Sequence, residues 1–154
     1  EIQSYLPIDI SPSTEQQYPA SLYKRTDMAK HFMGSAALTA SGNAYLAYML
    51  SEEKELSDAE KGSGFSFIDL AADRAGMRFG EIATQSEQSA RKLQTVMSKI
   101  KDYSAFMPDI RDLPENMNTT YFNKRFESIY SKPYQEVLKD IDQRISACPI
   151  YKTF

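Results

Sequence analysis

A single histidine and a series of spaced carboxylates, all between residues 27 and 80, are the groups in this chain best suited to chemistry. In order they are Asp27, Lys30, His31, Lys54, Glu55, Asp58, Ser63, Asp69 and Asp73, with the turn Gly62-Ser63-Gly64 among them and Gly76 and Gly80 following. An imidazole beside carboxylates can act as a general base. The same nitrogen and oxygen atoms can hold a divalent cation. His31 with Glu55, Asp58, Asp69 and Asp73 is the set that would do either.

The ligand supply argues against a dedicated zinc centre. The chain has one His and one Cys, far apart in sequence, where zinc sites usually draw on several such residues. No metal and no cofactor is assigned on this basis. A plainer reading fits each residue. Asp27 and His31, four apart, share a helix face and can form a local ion pair. Asp69 suits the first turn of a helix, where the dipole favours a carboxylate. Asp73 can pair with Lys30, Lys54 or Arg74, an arrangement that fixes geometry more than it adds stability.

Other chemistries lack their partners. Gly62-Ser63-Gly64 before a helix start resembles a phosphate cradle, but no Walker lysine follows. Ser63 has no strand-and-elbow context for a triad serine, and a haloperoxidase-type phosphatase would need more histidines. Cys148, the sole cysteine, precedes Pro149. It can form no intrachain disulfide and reads as a semi-buried structural thiol.

The elements that must position these residues are helical. Residues 1–20 carry Pro7, Pro12 and Pro19 among Ser and Gln and read as an extended arm. Helical periodicity begins near Ser21, and Ser41-Gly42-Asn43 interrupts it. Either one long helix runs through Gly42 or a hairpin turns there. Segments 27–41 and 44–58 are equal in length, about 22 Å each at helical rise, so a hairpin would return Glu55 and Asp58 to the level of His31. One straight helix would hold His31 and Glu55 roughly 36 Å apart.

Ser66 then reads as an N-cap with Asp69 three residues on, opening a helix from Phe67 to about Lys101 that Gly76 and Gly80 can bend. Pro108 and Pro114 bracket an irregular connection. Asn118 or Thr119 can cap a short helix holding Tyr121, Phe122, Phe126 and Ile129. Ser131, with Pro133 in the first turn, opens a last helix with Tyr134, Val137, Leu138, Ile141 and Ile145 at helical spacing. No run alternates with period two. The expectation is an all-α, single-domain bundle of four to five helices over residues 21–154, preceded by the arm.

Bulk properties narrow the function classes. With 154 residues, 42% hydrophobic and 25% charged, the chain is one globular domain with a real core. A net charge of −3, with basic residues scattered among acids, gives no basic face for nucleic acid. The longest apolar run, 44–50, is too short for a transmembrane segment. The start at Glu1, without a basic or strongly apolar leader, is the pattern expected of a processed, exported protein or a trimmed chain.

The spacing Asp27-x-x-Lys30-His31-Phe32, Ser35-Ala36, Gly42-Asn43-x-Tyr45, Lys54-Glu55-Leu56-x-Asp58, Gly62-Ser63-Gly64-x-Ser66 and Asp69-x-x-x-Asp73-x-Ala75-Gly76 resembles the YfiM-type predicted periplasmic lipoproteins, and more loosely the VanZ-like membrane family. The resemblance covers about residues 26–80. It implies a helical protein in the periplasm or otherwise exported, without an activity to carry over. The segment between Asn43 and Lys54 is shorter than in that pattern, and residues 84–154 have no counterpart in it. The leading expectation is thus an exported, envelope-associated helical protein with a structural or interaction role, its partner another envelope protein, with peripheral membrane association compatible. The alternative is a metal-assisted hydrolase or small-ligand binder built on His31, Glu55, Asp58, Asp69 and Asp73. A third option has the arm, residues 1–20, wrapping a neighbouring chain.

Overall fold

The computed structural model describes residues 20–154; the expected arm lies, but for Ala20, outside the described residues. Six α-helices follow in order: α1 (Thr26–Ala40), α2 (Ala44–Lys61), α3 (Phe67–Thr84), α4 (Glu87–Met97), α5 (Thr119–Phe126) and α6 (Lys132–Ala147). Short 3-10 turns lie at Tyr103–Ala105 and Tyr151–Thr153. The all-α expectation holds, with one helix more than the four to five expected.

The additional helix comes from the expected span 67–101. Ser86 leaves the helical path with φ −165 and ψ 162, and its side chain accepts the Ser89 amide, opening α4 afresh. A serine hydroxyl that satisfies an orphan amide there makes a break at Ser86 cheaper than a continuous helix. Gly76 and Gly80, expected to bend the helix, lie within an uninterrupted α3. At the other end of the chain, periodicity near Ser21 proves to be a tight turn: Leu22 and Arg25 exchange backbone hydrogen bonds at 3.0 and 2.9 Å before α1 begins.

The hairpin reading of Gly42 is the observed one. The Gly42 amide bonds back to the Thr39 carbonyl at 3.0 Å, and its φ of +88 is one that L side chains rarely adopt. The chain reverses there, so α2 returns along α1. Then α3 runs back beside both. A Cβ at Gly76 would overlap the Phe32 carbonyl oxygen of α1, and one at Gly80 would lie 2.5 Å from the Ala36 carbonyl oxygen. The constant offset of these two approaches shows that α1 and α3 run in the same direction. Backbones this close require residues without side chains at the seam.

The middle of the bundle is α3, with Ile68, Leu70, Ala71, Ala72, Ala75 and Ile82 at 1% exposure or less. Around its first turn sits an aromatic nest: Phe65, Phe67, Phe122, Phe126 and Tyr134, with ring centroids 4.7 to 6.3 Å apart. The aromatic residues of the last two helices that are buried are therefore core. Asn118 caps α5 and Ser131 caps α6 through their side chains, as expected; Ile129 falls beyond the end of α5. The apolar start of α2 leaves Tyr45 and Met49 exposed. No helix among the described residues is long and apolar enough to cross a membrane.

A candidate acid–base and cation site

His31 and Ser35 lie one turn apart on α1 and grip the same carboxylate. His31 Nδ1 is 3.1 Å from Asp73 Oδ2, and Ser35 Oγ donates to Asp73 Oδ1 at 2.7 Å. Asp73 projects from the second turn of α3 and is 5% exposed, so both its oxygens are satisfied inside the bundle. A neutral ring that donates from Nδ1 to Asp73 keeps its Nε2 lone pair free. That Nε2 points toward Asp69, whose Oδ2 is 3.6 Å away.

Glu55 arrives from α2 with no exposed surface. Its Oε2 accepts the Ser66 amide at 2.8 Å, while Ser66 Oγ accepts the Asp69 amide at 3.1 Å. The serine cap is thus the expected one, but the carboxylate that reaches back to the cap residue comes from another helix. Glu55 occupies the role in which a capping box would use Asp69. Asp69 is thereby released from capping. Its Oδ1 is buried with no hydrogen-bond partner among the described residues, an expensive state for a carboxylate oxygen.

The rim is formed by Lys54 and Asp58. The Lys54 ammonium lies 2.7 Å from Asp58 Oδ2 and 3.3 Å from Glu55 Oε1. Ser63, exposed in the glycine-rich turn, is near enough to Asp58 to help hold it ionised.

Four carboxylates (Glu55, Asp58, Asp69 and Asp73) thus face one lysine and one imidazole. Burial pushes the Glu55 carboxyl up to about 7, against the pull of Lys54 and the Ser66 amide. Burial likewise raises Asp69, with the His31 charge opposing. For His31, burial acts downward, but the Asp73 hydrogen bond and the charges of Asp73 and Asp69 outweigh it, and the net shift is upward. These directions describe buried acids short of positive charge.

Several expected partnerships are replaced. Asp27 does not pair with His31. Arg25 takes it through Nε and Nη2, with Nε at 3.1 and 3.2 Å, and uses Nη1 to bind Glu115 at 2.7 Å. A guanidinium two residues away offers a bidentate fit that imidazole cannot match. Asp73 takes neither lysine nor Arg74; Arg74 instead binds Asp142 of α6 at 2.6 and 2.8 Å. Lys30 is exposed. Of the candidate set, His31, Glu55, Asp69 and Asp73 come together, Lys54, Asp58 and Ser63 line the rim, and Asp27 and Lys30 stand apart. Ser35 lies outside the candidate set although the spaced pattern includes it, and its position four residues after His31 carries the signal. Cys148 is buried, its thiol pushed up to about 11 by burial, as a structural cysteine would be.

One ligand atom each from His31, Glu55 and Asp69 lies within 4.8 Å of the others. Atoms bound to one ion at about 2.1 Å stand roughly 3 to 3.5 Å apart, so a modest inward rotation of the His31 and Asp69 side chains toward the anchored Glu55 would suffice. Two surface hollows lie elsewhere. One, of about 440 Å³, is lined by Leu113, Phe126 and Val137 among others. The other, of about 360 Å³, lies by Thr39 and Arg78. Neither includes a residue of the cluster.

Comparison with protein-family models, with curated proteins and with solved structures finds no match to this chain.

Proposed function

We propose that the cluster between α1, α2 and α3 binds a divalent transition-metal ion through His31, Glu55 and Asp69, and that the bound ion serves metal-assisted hydrolysis or capture of a small ligand. The observation that carries this reading is the convergence of three ligand atoms from three helices within 4.8 Å, one of those residues being Asp69, whose Oδ1 is buried with no hydrogen-bond partner among the described residues. One imidazole with two carboxylates suits Zn²⁺, Mn²⁺ or Fe²⁺ better than a hard, all-oxygen ion such as Ca²⁺. Asp73 and Ser35 fit the outer layer: they fix the tautomer and orientation of His31, as partners of ligating histidines do. Such an ion would supply a water acidified to near neutrality and a Lewis acid for an ester or amide oxygen.

The test is direct. After chelator treatment, the purified chain is titrated calorimetrically with Zn²⁺ and with Mn²⁺. One equivalent should bind with a rise in melting temperature. His31→Ala and Asp69→Ala should abolish it, and Asp73→Asn should weaken it about 10- to 100-fold. A wild-type chain that binds no ion, or whose variants bind equally well, would leave the cluster as a device that only holds three helices in register. That outcome would favour the exported, envelope-associated structural or interaction role implied by the resemblance over residues 26–80. The periplasmic placement is carried by that resemblance alone, and fractionation of the native cells tests it.

A further inference from the structure

We infer that Lys54 is the resident counter-ion of this site, and that its ammonium gives up Glu55 when a divalent cation enters. The inference rests on the cation reading above and concerns how that site is loaded. Glu55 cannot move to suit an incoming ion, because it has no exposed surface and its Oε2 is held by the Ser66 amide at 2.8 Å. Among the described residues its other oxygen, Oε1, hydrogen-bonds only the Lys54 ammonium, at a long 3.3 Å. Lys54 has the opposite freedom. Its side chain is 49% exposed, and its shorter bond, 2.7 Å, goes to Asp58 at the rim.

The ammonium can therefore swing off Glu55 without losing either its water or its better partner. The Lys54–Asp58 pair, four residues apart on α2, persists on the helix surface after the exchange. Lysine suits this use, being a single point charge on a flexible stem that no second planar bond pins in place. In the unloaded protein the ammonium offsets part of the negative surplus of Glu55, Asp69 and Asp73. In the loaded protein it would stand beside a divalent charge and oppose it. The exchange thus tunes affinity downward and keeps the empty site folded.

The experiment is a double-mutant cycle read by calorimetry with Zn²⁺, with circular dichroism to check that each variant is folded. Lys54→Met should bind Zn²⁺ about tenfold more tightly than the wild type, since a neighbouring like charge is removed. Lys54→Arg, which keeps the charge but can hold Asp58 and Glu55 with its planar fork, should bind Zn²⁺ more weakly than the wild type. Asp58→Asn, which strips the ammonium of its rim partner and drives it onto Glu55, should weaken binding several-fold. In the Lys54→Met background that same change should weaken binding less, since only the loss of the Asp58 charge itself remains. If the wild type binds Zn²⁺ but Lys54→Met binds it equally or more weakly, the exchange is overturned while the cation site stands. If Asp58→Asn weakens binding as much in the Lys54→Met background as in the wild type, Asp58 acts on the ion without Lys54 and the exchange is again overturned. A wild type that binds no Zn²⁺ sinks the site and the exchange together.

Discussion

Gly76→Ala is expected to destabilise the protein by about 2 to 3 kcal/mol, the upper part of the range for overpacking a core. In an exposed helix the same change stabilises by roughly 1 kcal/mol, so the sign itself is informative. The added methyl would overlap the Phe32 carbonyl oxygen, a backbone atom in the middle of α1 that no rotamer change can move. Relief requires α1 and α3 to part along their seam, where Gly80 against Ala36 repeats the close approach. Parting them would also stretch the bonds of His31 and Ser35 to Asp73, so ion affinity should fall with stability. Urea denaturation of the two proteins settles it: a Gly76→Ala variant as stable as the wild type would show that the helices are not in backbone contact.

Stability of the metal-free protein should decrease as pH rises from about 4.5 to above 7. Glu55 has a folded value near 7 against an ordinary 4.5. The folded state therefore holds the proton more tightly, and the contribution is full below pH 4.5 and lost as pH climbs through 7. A shift of that size corresponds to something on the order of 3 kcal/mol. Asp69, raised from its ordinary range, and His31, raised from 6.5, act in the same direction. Asp27 and Asp58 are lowered by Arg25 and by Lys54 respectively. Their contributions disappear only as pH falls below the usual carboxylate range. Maximum stability is thus expected near pH 4 to 5. Glu55→Gln, which keeps an acceptor for the Ser66 amide, should flatten the curve between pH 4.5 and 7. Urea melts across that range in the presence of a chelator provide the check, and a wild-type curve that rises toward pH 8 would contradict the assignment. A bound cation should oppose the loss, because it favours the ionised carboxylates.

Much of the fold was legible because its signals are local. Ser66, Asn118 and Ser131 announce helix starts, Gly42 announces the reversal, and the stripe through Tyr134, Leu138, Ile141 and Ile145 announces α6. The break at Ser86 left little mark, because the polar run 84–89 holds no Gly or Pro to stop a helix, and one serine hydroxyl decided the matter. The site was half legible. Residue types and the hairpin arithmetic placed His31, Glu55 and Asp58 at one level. What remained hidden were the pairings, which depend on helix register. Asp27 is four residues from His31, yet the guanidinium of Arg25 wins it. Asp73 is adjacent to Arg74, but neighbours in a helix point apart, and its partners come from α1. That Glu55 caps α3 could not be read at all, since the bond spans two helices and ends on a backbone amide.

The turn between α2 and α3 is also tied to a segment some fifty residues downstream. Phe65 and Met117 exchange amide hydrogen bonds at 2.7 and 3.0 Å, and the Phe67 amide donates to the Pro114 carbonyl at 2.9 Å. Ser66, whose amide anchors Glu55, lies between these clamped residues. Whatever loosens the segment at 114–117, whether a lesion in the nest around Phe122 or an undocking of α5, is transmitted to the Glu55 carboxylate along a single residue of main chain. Deuterium uptake should register this as Phe65, Ser66 and Met117 losing protection together, ahead of the central turns of α3. The distal third of the polypeptide, far from His31 in sequence, thereby acts as the latch on its neighbour.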